Sequence, residues 1–200
     1  MHFSSRFRYY LAHKNHLQES VPVVIALVCA YADSLANDSD VYKMEIIQAQ
    51  PCHLPQLVPV FDAYRVFYQQ ESDLNLAEAF LRQRIEKQES VIFLAIDEKG
   101  KALGFTQLYP NFSSVSAKRT WQLNDLYVVK SARRQGVAKA LMEHACQFAK
   151  RGGVKGIALE TAESNHSAQR LYESLGYVKE RGTYHYFLSF IEPESTPKSQ

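Results

Sequence analysis

Between Trp121 and Thr161 the chain reads as strand, charged loop, helix and strand, and this unit constrains the fold more than any other stretch. Residues 121–129 are rich in apolar and β-branched side chains. Lys130-Ser131 then leads into Arg133-Arg134-Gln135. From Gly136 to Arg151 the apolar residues Val137, Leu141, Ala145 and Phe148 fall on one helical face, and Gly152-Gly153 is a C-cap stop. Residues 157–161 form the next strand. A helix between two strands needs a sheet to cover, which points to an α/β (α+β) fold.

The remaining segments extend that plan. Tyr42, Met44 and Ile46 alternate with Lys43 and Glu45, the period-two mark of a strand over 42–49. Pro51, Pro55 and Pro59 crowd the next entry. Proline suits a helix's first turn, so the helix is expected to settle around Pro55 to Pro59, with Leu57, Phe61, Tyr64 and Tyr68 on one face. Ser72 is the expected N-cap of a second helix over 73–87, with Leu76, Phe80, Leu81 and Ile85 inward. Residues 91–96, a turn at Asp97-Glu98-Lys99-Gly100 and residues 102–109 read as a hairpin. Residues 110–120 are polar and read as a loop. A short helix over 167–175 ends at Gly176, and 177–179 with 184–190 read as a closing hairpin. The order predicts a mixed central sheet of about seven strands with helices on both faces.

Residues 44–191 are read as one working domain, and 192–200, polar with two prolines, as a frayed tail. Residues 1–43 are read as an N-terminal extension outside the catalytic fold. Arg6, Arg8 and Lys14 before the apolar run 21–32, with Ala30-Tyr31-Ala32 as a cleavage-like site, also match a secretory leader. The run is shorter than the ~20 apolar residues of a spanning helix, so no membrane partner is expected.

Several chemistries are disfavoured. The net charge is only +2, so nothing demands nucleic acid. Cys29, Cys52 and Cys146 are scattered, odd in number and without CxxC spacing, which fits a reducing compartment rather than a disulfide scaffold. The histidines form no HExxH pair, and no metal is expected.

The loop Arg133-Arg134-Gln135-Gly136-Val137-Ala138 lies where a strand feeds a helix. Backbone N–H groups at such an end point outward with the positive end of the helix dipole behind them, a ready anion site. Gly136 allows close approach, Ala138 stays small, and Arg133, Arg134 and Lys139 add charge.

This loop, with Arg133, Gly136 and Ala138 in order after Asp125-Leu126-Tyr127-Val128-Val129, resembles motif A of the GCN5-related N-acetyltransferases, the GNAT superfamily. Downstream, Asn165, Ala168, Tyr172, Gly176 and Tyr177 carry the spacing of motif B. The resemblance extends over about 45–190. It implies acetyl-CoA as co-substrate and a V-shaped splay between the fourth and fifth strands. Leu126, Tyr127 and Val128 would pair with the pantetheine arm as an added strand. Arg133, Arg134, Gln135, Gly136, Val137, Ala138 and Lys139 would hold the pyrophosphate, Asn165 the cofactor arm, and Tyr172 the cofactor's sulfur. Arg134 stands where many relatives carry glycine, and Ala138 replaces the commoner second glycine. Dependence on acetyl-CoA also favours the extension reading of 1–43 and a cytoplasmic location. Homodimers are common in the superfamily, but no residue here establishes one.

Acetyl transfer needs a neutral amine, a polarised thioester and a proton for the departing thiolate. The resemblance makes Tyr172 the general acid. Asp125, on the strand before the cofactor segment, is the candidate general base, with Glu160 as rival and a water chain as alternative. By strand alternation Asp125 shares a face with Leu123 and Tyr127. The acceptor pocket of the superfamily maps here onto Tyr64, Phe67 and Tyr68, the loop after Tyr109, and residues 184–186. Aromatic faces favour cations, so a small-molecule primary amine, attacking directly in a ternary complex, is the expected acceptor. A protein or peptide N-acetyltransferase and a silent acyl-CoA-binding module are the alternatives. The run from Phe61 to Tyr68 also resembles a subgroup that includes fungal histone and polyamine acetyltransferases.

Overall fold

The alternating segment after Lys43 forms β1 (Met44–Gln48), the edge of a five-stranded sheet in a computed structural model that describes residues 43–182, 184 and 186–190. β2 (Val91–Asp97), β3 (Ala102–Ser113) and β4 (Lys118–Val128) follow as an antiparallel meander, and β5 (Ile157–Leu159) runs parallel to β4. The mixed sheet expected from the element order is present. The leader or extension over 1–42 and the tail over 192–200 lie outside the described residues.

Two cores sandwich the sheet. Ile92, Leu94 and Phe105 face α1 (Leu54–Phe67) and α2 (Leu74–Glu86), meeting Leu57, Val58, Phe61, Ala77 and Leu81. Phe93, Ala95, Leu103 and Leu108 face α3 (Val137–Arg151), meeting Val137, Leu141, Met142 and Ala145. α4 (His166–Ser174) adds Leu171, Tyr172 and Leu175 to this second core. Because β2 is covered on both faces, Ile92, Phe93, Leu94 and Ala95 are all buried, which explains its unbroken apolar run.

Local expectations shifted where tertiary contacts outweighed them. Pro59 is carried inside α1, in its second turn, where the buried face of Leu57, Val58, Val60 and Phe61 offsets the lost backbone bond. Asp73, not Ser72, caps α2, accepting from the Leu76 N–H at 2.9 Å. With the helix entered one residue later, Ala77 takes the fully buried position and Leu76 is half exposed. The expected loop over 110–120 is instead the tip of a long hairpin, with β3 and β4 paired through Ser113 and Lys118. The sheet has five strands among the described residues rather than about seven. Residues 177–179, 184 and 186–190 show no strand, and Thr183 and His185 lie outside the described residues.

Ser72 is instead drawn to Asp62, a buried carboxylate of α1. Asp62 accepts from Ser72 Oγ at 2.6 Å, the Asp73 N–H at 2.9 Å and Arg65 at 3.1 Å, tying α1 to the start of α2. The Ser72 hydrogen bond, with those of Asp73 and Arg65, outweighs burial and holds the Asp62 carboxyl below its ordinary value. Its stabilising effect is therefore complete above the unfolded carboxylate pKa near 3.8 and is lost as pH falls through the lower folded value. Asp62→Ala is expected to cost about 2–4 kcal/mol in a urea melt at pH 7, with the deficit shrinking in acid.

Two features of β4 position the site. Gly104 of β3 lies so close to it that a Cβ there would sit 2.5 Å from the Tyr127 carbonyl oxygen. β5 pairs only with Trp121, Gln122 and Leu123, so residues 124–128 have no strand partner on that side among the described residues. This is the expected splay between the fourth and fifth strands.

Candidate active site

The loop after β4 is tightly bent before α3 begins. Arg134 and Gly136 both take left-handed backbone conformations, with φ of 64° and 80°. Glycine adopts that region freely and arginine at a cost of about 1–3 kcal/mol, so Arg134 holds a strained conformation in this loop. Gly136 is the N-cap and offers no side-chain cap. The first backbone bond of the helix runs from Ala140 N–H to the Gly136 carbonyl at 3.0 Å. The N–H groups of Val137, Ala138 and Lys139 precede that bond and point off the end of α3. Arg133, Arg134, Gln135 and Lys139 are exposed around them. The donors and the charge suit a pyrophosphate, and the open flank of β4 beside Leu126, Tyr127 and Val128 suits an extended arm.

Asp125 lies deep between β3 and β4, only 4% exposed. A bulge sets its direction: Gln107 pairs with Asp125 while Leu108 pairs with Leu123, leaving Asn124 as the extra residue. Leu123 therefore packs on the α3 side while Asp125 and Tyr127 face α1, so the simple alternation that grouped all three is corrected. Oδ2 of Asp125 accepts from Gln107 Nε2 at 2.8 Å and Oδ1 from Asn124 Nδ2 at 3.1 Å. The Tyr64 phenol also lies beside this carboxylate. Burial pushes Asp125 above the usual carboxylate range, and the donors from Tyr64, Gln107 and Asn124 oppose that rise. Burial and then the Asp125 charge raise Tyr64, and the same two causes push Tyr109 up to about 12. Both phenols stay protonated donors at neutral pH.

An aromatic wall surrounds this carboxylate. Tyr64 meets Tyr68 edge-on at 5.0 Å and Tyr127 at 6.0 Å, and Phe67 meets Tyr68 at 5.3 Å. The Arg133 guanidinium stands 5.8 Å from the rings of both Phe67 and Tyr127, and its Nε donates to the Val128 carbonyl at 3.0 Å. The loop before α3 and the end of α1 are thereby joined.

Tyr172 lies across the splay on α4, half-buried, 6.1 Å from the Tyr177 ring. Burial, then the neighbouring Tyr68, raises its phenol, against a hydrogen bond with Thr161. Asn165 caps α4, its Oδ1 accepting from the Ala168 N–H at 3.2 Å, which leaves the amide donors uncommitted to the cap. Glu160 is exposed beyond the end of β5. The fold thus brings Asp125, Tyr64, Tyr68 and Tyr109 together with Tyr172 near Tyr68, and leaves Tyr184 and Tyr186 exposed at 86% and 87%. Gln107 was not anticipated, although a lone amide in the apolar run 102–109 was a signal. Among the described residues no His, Cys, Asp or Glu group is placed to hold a metal, and no helix is long and apolar enough to cross a membrane.

The chain is also similar to known proteins. Residues 57–177 match the acetyltransferase (GNAT) family model. An N-acetyltransferase of Bacillus subtilis, YhfO, is 47% identical over 146 residues, covering 73% of this chain and 97% of the relative. A D-amino-acid N-acetyltransferase of Saccharomyces cerevisiae is 34% identical over 92 residues, or 46% of this chain and 57% of that protein. A crystal structure described as a probable acetyltransferase superposes with a TM-score of 0.70 at 43% identity, covering 74% of this chain and 99% of the other.

Proposed function

The chain belongs to the GNAT acetyltransferase family and is an acetyl-CoA-dependent acyltransferase, and from that premise we propose that its acceptor is the primary amine of a small molecule, attacking directly in a ternary complex. One observation carries the reading: a carboxylate 4% exposed, with Tyr64 and Tyr109 beside it and an aromatic wall around it. A carboxylate behind aromatic faces attracts an ammonium group and can then take its proton. The Saccharomyces relative is named for amino-acid acceptors, whose amine is of this class.

Acetyl-CoA supplies the thioester carbonyl that the amine attacks. In this reading the α3 end with Arg133, Arg134, Gln135 and Lys139 binds the pyrophosphate. The open flank at Leu126, Tyr127 and Val128, with the Asn165 amide, aligns the arm. Asp125 receives one proton of the ammonium, and Tyr172, kept protonated by burial, donates one to the thiolate and is restored by the second proton that the acylated nitrogen sheds. Glu160 is exposed beyond β5, whereas Asp125 is enclosed among the phenols of the proposed acceptor site. Scattered cysteines and the need for acetyl-CoA support a cytoplasmic setting.

Thiol release from acetyl-CoA across a panel of free amines and peptides tests the acceptor. Turnover with small amines is the expected result, and turnover with peptides alone would transfer the assignment to protein acetylation. No release with any amine would leave a binding module. Gly136→Val forces a branched side chain into the left-handed region at a cost of about 1–3 kcal/mol. It is expected to raise the KM for acetyl-CoA about tenfold, at 1.4 kcal/mol per decade. Initial-rate kinetics at varied acetyl-CoA check this, with kcat little changed.

A further inference from the structure

Gln107 is fully buried in the middle of β3, where an amide is costly unless every polar atom is used. Here the main ones are. Its Nε2 donates to Asp125 Oδ2 at 2.8 Å and to the Tyr109 hydroxyl at 2.7 Å, and its Oε1 accepts from Ser90 Oγ at 3.1 Å. An amide nitrogen has two hydrogens, and two acceptors take them. Turning the amide over would set Oε1 against the carboxylate, so its orientation is determined from the carboxylate end, and Ser90 supports the other end.

We propose that Gln107 is the positioning residue of the catalytic carboxylate, holding Asp125 in one rotamer and turning the Tyr109 hydroxyl hydrogen toward a different acceptor. The inference rests on the reading of Asp125 as the base. The bulge at Asn124 is what brings the two side chains into register, since it shifts the pairing so that Asp125, not Asn124, lies opposite Gln107. An apolar side chain of similar length would fill the same space in this core. What it could not supply is a donor on each side, one to a carboxylate and one to a phenol that both border the proposed acceptor site.

The polar groups that face Asp125 are few. Tyr64 comes from α1, Tyr109 and Gln107 from β3, and Asn124 from β4, while Arg84 of α2 and Glu89 beyond its end act on Tyr109. Gln107 and Asn124 are the two uncharged amides among them, and only Gln107 is fully buried. Removing its donor takes away a hydrogen bond that favours the ionised carboxylate, leaving burial less opposed.

The test is the pH dependence of kcat/KM for the intact enzyme with an amine that it acetylates. Gln107→Met keeps length without donors and is expected to move the acid limb upward by about one to two pH units, with KM for acetyl-CoA unchanged. Ser90→Ala weakens the far anchor and is expected to move the limb the same way by less. Ser90 borders a cavity of about 380 Å³, so its truncation creates no sealed void, and this variant carries the test if Gln107→Met does not fold. A purely structural role would lower the amount of active enzyme and leave the limb in place. Wild-type limbs in the folded variants would overturn the proposal. Asp125→Asn separates the two ideas. If it keeps the acid limb, the base assignment fails and takes this inference with it. If it removes the limb while Gln107→Met leaves it unmoved, only the positioning role falls.

Discussion

Tyr172→Phe is expected to lower kcat at saturating acetyl-CoA by about 10²–10⁴-fold, the range for loss of a positioned general acid. The hydroxyl is the only group removed, and the ring keeps its packing with Leu171, Leu175 and Tyr177 on the α3 side of the sheet. Stability and the KM for acetyl-CoA should therefore stay near wild type. Burial raises the Tyr172 phenol above its ordinary value, so it holds its proton through neutral pH and the basic limb of wild-type kcat belongs above it. Pre-steady-state thiol release at saturating cofactor measures the effect. Full turnover in the phenylalanine variant would remove Tyr172 from the mechanism.

Asp125→Asn is expected to reduce kcat/KM for the amine by about 10²-fold or more at pH 7 and to remove the acid limb of the profile. The mutant amide matches the carboxylate in shape but accepts no proton. At higher pH the deficit should narrow, because an alkylamine with a pKa of about 10.4 then supplies its own neutral form. Loss that stayed constant from pH 7 to 10 would point to amine binding rather than proton transfer. Burial is the first cause of the raised Asp125 pKa, so below that value the wild-type carboxyl is neutral and activity falls. A carboxylate raised above its ordinary range also holds a proton taken from an ammonium substrate better than a solvated one would.

Much of the fold was legible in sequence because it rests on local periodicity. The α3 stripe of Val137, Leu141 and Ala145, the stop at Gly152, and the apolar run of β2 each follow from neighbours within a few residues. So does the bent loop before α3, since a strand end, a glycine and a helix start suffice to make one. The misplaced details were those decided by partners distant in the chain. Asp62 draws off Ser72 and leaves Asp73 as the cap. Cross-strand pairing carries β3 and β4 through a stretch whose serines resemble a loop.

The site divides along the same line. Sequence alone determined the family resemblance and the candidacy of the loop from Arg133 to Lys139, of Tyr172 and of Asp125, because those signals lie at short, regular spacings. Tertiary structure decided what surrounds Asp125. A single extra residue at Asn124 reverses the faces of β4, turning Asp125 toward Tyr64, Gln107 and Tyr109 while Leu123 stays on the other core. Nothing in a period-two pattern marks that bulge, because a bulge exists only relative to the strand it fails to match.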